Sequence, residues 1–184
     1  MVSETEVVKS VAGLMVVAAR TAPKAMGFDS IIATVVYGND IARLANEMEE
    51  YAKEKGVGYF SDNAKQIRKC DAIVLIGVKG WMVVGANCGG CGYHTCREFT
   101  KAVRSHPPTE YSEYPGPNCV IKVTDLGVAL GSAVKCASQN NVDNRVMYTV
   151  GVVAQRLHLM DACTMVYGIP LNSSGKNIFY PTKI

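Results

Sequence analysis

Between Glu4 and Ala19, the apolar residues Val7, Val8, Val11, Leu14, Met15 and Ala18 recur at the spacing of one helical face, and Pro23 ends the pattern. An amphipathic helix followed by a turn is expected. Ile31 to Tyr37 is β-branched and aromatic and predicts a buried strand, after which Asn39 or Asp40 caps a charged helix that stops at Gly56. Ser61 caps a short helix to Lys69, and Ala72 to Gly77 is an unbroken apolar run, as in a strand covered on both faces. Arg97 to Arg104 predicts another helix. The stretch 106–117 holds four prolines and predicts an irregular loop. Thr124 or Asp125 then caps a helix from Leu126 to Ser138, with Gly127, Ala129, Gly131, Ser132 and Ala133 small enough for close backbone approach. Asp143 caps Arg145 to Leu159, where Val146, Val150, Val153, Ala154 and Leu157 form an apolar stripe. Thr164 to Ile169 predicts a last strand, and Ser173 to Lys176 a polar loop before Ile178–Tyr180. Intermingled helices and strands make the fold class α/β.

Composition narrows the setting. A chain of 184 residues with 48% hydrophobic content is expected to form a single domain, 1–184, and to bury about 70% of the surface its unfolded form exposes. Basic and acidic residues number 19 and 16, a net charge of +3, which excludes a polybasic nucleic-acid surface. No apolar run reaches the roughly 18 residues of a membrane span. The first residues lack the basic start and small-residue cleavage site of a signal peptide, and Glu4, Glu6 and Lys9 interrupt them. A cytoplasmic protein is expected, and in that compartment clustered cysteines mean metal or redox chemistry more often than disulfides.

The chain has seven cysteines, and three of them, Cys88, Cys91 and Cys96, stand in the spacing C-x2-C-x4-C among Gly89, Gly90 and Gly92. Glycines let the backbone curl so that thiolates and amide N–H groups converge on one ion or cluster. Cys119, at the end of the proline-rich loop, is the best candidate for a fourth ligand, which makes 86–119 a cluster-binding segment. Cys70, Cys136 and Cys163 read as buried structural thiols. Zinc is the rival occupant, although its sites usually show two C-x2-C knuckles and Cys119 stands alone. Plain buried thiols leave the glycine density unexplained. His94, between the cysteines, reads either as a donor to a cluster sulfur or as an exposed loop residue. Asp143 with Arg145 reads as a helix cap beside a surface arginine, with a ligand clamp as the alternative.

Asn87-Cys-Gly-Gly-Cys-Gly-Tyr-His-Thr-Cys-Arg-Glu-Phe99 resembles the motif of the small 4Fe-4S domains of corrinoid iron–sulfur proteins and related electron-transfer subunits. With Ala19–Lys24, Asp125–Ala129, Asn141–Arg145, Gly168–Leu171 and Gly175–Asn177, the chain resembles over nearly its whole length a prokaryotic family of ferredoxin-domain-containing proteins. That resemblance implies a 4Fe-4S cluster on Cys88, Cys91, Cys96 and Cys119.

A second, fainter resemblance is to nitroreductase-like flavoproteins, carried by Arg20–Lys24, the strand at Ile73, the helices from Asp125 and Asp143, and Gly168-Ile-Pro170 in that order. It implies a nitroreductase-like α/β sandwich with a cysteine-rich ferredoxin-type insertion, a homodimer, and FMN whose phosphate would be held by Arg20, Lys24 and Lys176. The usual Arg-Arg-Ser anchor is missing, and Lys24 stands in place of a serine. The ordinary alternatives are that Arg20 and Lys24 complement a helix C-terminus and that Lys176 is a solvated loop residue. Three functions follow: a redox enzyme passing electrons between cluster and flavin, an electron carrier that docks a redox partner protein, and a structural or sensory metal protein. No acid–base pair or Ser-His-Asp set supports a hydrolase.

Overall fold

The computed structural model describes residues 2–105 and 113–180; residues 106–112 of the expected loop lie outside them. The elements run α1 (Glu4–Thr21), β1 (Ile31–Val36), α2 (Asn39–Lys55), α3 (Gly58–Ile67), β2 (Ala72–Val78), α4 (Cys96–Ser105), α5 (Val120–Gln139), β3 (Asp143–Asn144), α6 (Tyr148–Arg156) and β4 (Met165–Asn172). The strands form one sheet in the order β1-β2-β4-β3, with every neighbouring pair antiparallel.

β2 shows why its sequence does not alternate. Ile73 and Leu75 point into a core with Leu44 and Met48 of α2, Phe60 and Ile67 of α3, and Val150 and Val153 of α6. Val74 and Ile76 point the other way, into a core with Val8, Val11 and Met15 of α1 and Leu126, Ala129 and Ala133 of α5. The period-two geometry of a strand sends successive side chains to opposite faces, and here both faces are covered by helices. Each fully buried aliphatic side chain contributes about 1.5–3 kcal/mol, so polar residues find no place in this strand.

Helix ends differ from expectation where backbone conformation or tertiary partners decide them. Gly38, at φ 49°, turns the chain into α2, so Asn39 is already helical rather than its cap; Gly56, at φ 68°, ends the helix as expected. α3 starts at Gly58, before Ser61. α5 starts at Val120 with Cys119 as its N-cap, and Thr124 and Asp125 lie inside the helix. Asp125 is buried because Lys122 Nζ, itself buried, meets its carboxylate at 3.0 Å and donates to the Phe28 carbonyl at 2.6 Å. Asp143 caps no helix: it lies in β3, paired with Asn172 of β4, and α6 begins only at Tyr148. Arg145 is held by Gln66 at 3.4 Å and lies over the Tyr180 ring. α6 sits directly on β4, since a Cβ at Gly151 would lie 1.7 Å from the Val166 carbonyl oxygen. Among the described residues no helix is long and apolar enough to cross a membrane.

Candidate metal centre

Both cysteine segments are anchored at the end of β2. The Cys119 amide donates to the Gly80 carbonyl at 2.8 Å, the Gly80 amide donates to Thr164 Oγ1 at 2.9 Å, and the Thr164 hydroxyl donates to Asn118 Oδ1. A Cβ at Gly80 would lie 2.0 Å from that Asn118 oxygen and 2.5 Å from Thr164 Oγ1, so a side chain there would push apart the link that closes the segment on the strand. Cys119 is 5% exposed.

The loop bearing the other three cysteines is shaped by left-handed residues: Asn87 at φ 48°, Gly89 at 73° and Gly92 at 85°. The Gly92 amide donates to the Gly89 carbonyl at 2.9 Å, closing a turn around Cys91. Asn87 Oδ1 accepts from the Cys96 amide at 2.8 Å, and Thr95 Oγ1 accepts from the Glu98 amide at 3.2 Å, the bond of a helix N-cap. Gly90 rests against α5, where a Cβ would meet Val120 Cγ1 at 2.6 Å.

These contacts bring the four expected thiols together. Cys88, Cys91, Cys96 and Cys119 line one small cavity, walled by Val83, Val84, Tyr93, Phe99 and Ile121. Phe99 is buried, and the Tyr93 ring meets it edge-on at 5.9 Å. Cys88 is exposed, Cys91 and Cys96 are half-buried and Cys119 is buried, so the cavity opens to solvent on the Cys88 side. Among the described residues no three His, Cys, Asp or Glu side chains are grouped tightly enough to hold one metal ion. Cys96 opens α4 and Cys119 caps α5, so two helix N-termini, with their free N–H groups and partial positive charge, meet the thiols. Soft sulfur donors on turns without bulky side chains suit an iron–sulfur group.

The other cysteines and His94 do not line the cavity. Burial pushes the Cys70 thiol up to about 12 and the Cys163 thiol up to about 11, which keeps both protonated and poor ligands at neutral pH. Cys136 packs half-buried against the core between α1 and α5.

One chain does not gather the three expected flavin-phosphate residues. Arg20 donates to Asp29 and, at 2.7 Å, to the Ile31 carbonyl, while Lys24 donates to the Arg20 carbonyl and, at 2.9 Å, to that of Ala19. Burial alone would raise the Asp29 carboxyl, but the Ile31 amide and the Arg20 guanidinium hold it below the usual range. Burial, ahead of the neighbouring charges, lowers the Lys24 ammonium. These residues sit beside Ile31, which pairs with Val78 at one end of the sheet. Lys176, exposed, follows β4, whose Leu171 pairs with Ala72 at the other end, the length of β2 away. Sequence reasoning missed two features near the cavity: the buried Lys122–Asp125 pair, signalled only by the three-residue spacing Cys119–Lys122–Asp125, and Trp81, the chain's single tryptophan.

Over 177 residues the chain is 42% identical to an uncharacterized protein of Archaeoglobus fulgidus, a match spanning 96% of this chain and 92% of that one. A family model described as an uncharacterized protein containing a ferredoxin domain matches residues 115–181. The chain belongs to this ferredoxin-domain family. A separate Fe-S cluster family model matches residues 85–108, so three cavity cysteines of this ferredoxin-domain protein fall in one match and Cys119 in the other. Its fold is nitroreductase-like. It is similar to the NADPH:FMN oxidoreductase of Vibrio harveyi (TM-score 0.54, 10% identity, 96% of this chain and 62% of that one). It is similar also to a BluB-like flavoprotein from Clostridium difficile 630 (TM-score 0.55, 15% identity, 100% and 86% covered) and to a nitroreductase family protein from Clostridium novyi NT (0.55, 12%, 97% and 80%). The ferredoxin-domain protein thus spans less than two thirds of the Vibrio enzyme's length.

Proposed function

We propose that the protein is an electron-transfer protein in which Cys88, Cys91, Cys96 and Cys119 hold one 4Fe-4S cluster. The observation that carries this reading is that four thiols from two separate stretches of chain line one cavity while Cys70, Cys136 and Cys163 do not. The match of residues 85–108 to an Fe-S cluster family supports the group. The C-x2-C-x4-C spacing with Cys119 standing alone favours a polynuclear occupant over zinc, whose sites usually show two C-x2-C knuckles. Such a cluster supplies reversible one-electron chemistry. The chain's own residues do the rest: Val83, Val84, Phe99 and Ile121 keep water from the buried side, and the N-termini of α4 and α5 offset the negative charge of the thiolates.

FMN as a second cofactor is a further reading, favoured by the likeness to proteins named as flavoproteins. Because Arg20 and Lys24 lie far from Lys176 within one chain, a shared phosphate site would take these residues from two chains, which ties the flavin reading to a homodimer. Exposed Val7, Leu14 and Val17 on α1 and Val128 on α5 supply an apolar face for that dimer.

Anaerobic purification with iron and sulfide analysis tests the cluster. Serine at Cys88, Cys91, Cys96 or Cys119 should strip most of the iron, while serine at Cys70, Cys136 or Cys163 should leave it. Full iron in Cys119→Ser would overturn the ligand set.

A further inference from the structure

Next to the cysteine cavity lies an open groove of about 330 Å³ lined by Trp81, Met82, Val83, Thr100, Val103 and Arg104. Val83 lines both, so the groove adjoins the cavity of the thiols. Trp81 is 48% exposed, a large aromatic surface left in water beside a redox centre. Among the described residues, the charge that α4 turns toward the groove is basic. At about 100° per residue, Arg97, Lys101 and Arg104 fall on one stripe of α4, next to the groove-lining Thr100 and Val103. Glu98 falls on the side of the helix away from the groove. All three basic residues are exposed, and none pairs with another described residue.

We propose that this groove is the docking surface for an acidic electron-carrier protein, with Trp81 as the apolar anchor and Arg97, Lys101 and Arg104 as the charged rim. The proposal rests on the four-cysteine centre being a redox group. An exposed aromatic surrounded by arginine and lysine is the composition of an interface hot spot with a steering rim. Charge of one sign raises the encounter rate with a partner of opposite sign and makes it salt-dependent. Electron-transfer encounters are small and short-lived, which fits a single anchor on an open surface. No bond forms or breaks in the exchange: the carrier is oxidised by one electron and the four-cysteine centre is reduced by the same electron.

Because Trp81 is the single tryptophan, its fluorescence reports occupancy of the groove whether or not the centre is loaded. The probe is a tryptophan-free acidic bacterial ferredoxin, titrated into the full chain at about 20 mM and about 300 mM salt. Saturable change in Trp81 emission is expected, weakened at least tenfold by the higher salt. Arg97→Glu with Lys101→Glu and Arg104→Glu should weaken it at least tenfold at low salt and reverse the salt effect, since salt then screens repulsion. The double variant Lys101→Glu, Arg104→Glu, which leaves the neighbour of Cys96 untouched, should show most of that loss with unchanged iron content and circular dichroism. Stopped-flow reduction by the same ferredoxin should slow in parallel, while reduction by dithionite reaches the same end point. Emission that ignores the ferredoxin, or a charge-reversed chain that binds it as well as the wild type, overturns the docking surface. Free FMN that saturates the groove and excludes the ferredoxin overturns it in favour of a small-molecule site. Wild-type protein without iron refutes the cluster instead, leaving the fluorescence titration to decide the docking.

Discussion

At the residue scale, two of the seven thiols, Cys70 and Cys163, are set apart by the effect of burial on their titration. Cys88 is exposed and Cys91 and Cys96 half-buried on a loop, whereas Cys70 and Cys163 sit where burial raises the thiol from the usual 9.0 to about 12 and about 11. The folded state therefore prefers both thiols protonated. The stability this contributes is fully present below pH 9.0, the unfolded value, and is lost as pH rises through about 11 and about 12. Thermal melts of the cluster-free protein should show Tm falling above about pH 9, and Cys70→Ala with Cys163→Ala should flatten part of that fall. An unchanged slope in the double variant would remove these thiols from the account. The candidate ligands were legible in the sequence because spacing and glycines are local signals. Cys119 was legible only as the one loop thiol left over. Its actual position, capping α5 and bonded to Gly80, depends on contacts that no local pattern encodes.

At the element scale, the sequence was clearest where one periodicity dominated: the two-sided apolar run of β2, the amphipathic α1, and α2 with Gly56 behind it. It misled where a tertiary partner reversed a local preference. Val120-Ile-Lys-Val-Thr124 is β-branched around a charge and reads as a poor helix start, yet Lys122 is buried because Asp125 and the Phe28 carbonyl receive its ammonium. Asp143 has the chemistry of a cap and instead pairs in a two-residue strand. Helix-on-sheet packing is equally hidden in composition: Gly151 is required because α6 touches the β4 backbone. Gly151→Ala should destabilise the protein by about 3 kcal/mol or more, since a carbonyl cannot move aside as a side chain can. Gly13→Ala on α1, where nothing lies within 4 Å, should stabilise by about 0.5–1 kcal/mol. Urea titrations of both variants check the contrast; equal midpoints would mean that α6 does not pack on β4 as described.

At the scale of the whole molecule, the α/β/α layering was legible as a fold class, while the groove beside Trp81 was not, because it exists only where the segment after β2 meets α4. The proposed homodimer belongs to this scale. With Val7, Leu14 and Val17 at 49%, 53% and 57% exposure on α1, light scattering should give the mass of two chains, and Leu14→Glu with Val128→Glu should halve it. A monomeric wild type at micromolar concentration would refute the dimer. The anchoring of Cys119 also bears on how the centre is assembled in time. The restraints described for that residue, the Gly80 carbonyl, the Asn118–Thr164 link and the Lys122–Asp125 pair one turn further on, are made of protein groups alone. On the proposed ligand set, these groups would hold the Cys119 thiol in place before iron arrives. Maturation would then be the filling of a prepared seat, the reverse of a zinc finger, where the metal drives the folding. Circular dichroism of the iron-free chain should then match that of the iron-loaded one, as expected of a site that can be refilled without refolding.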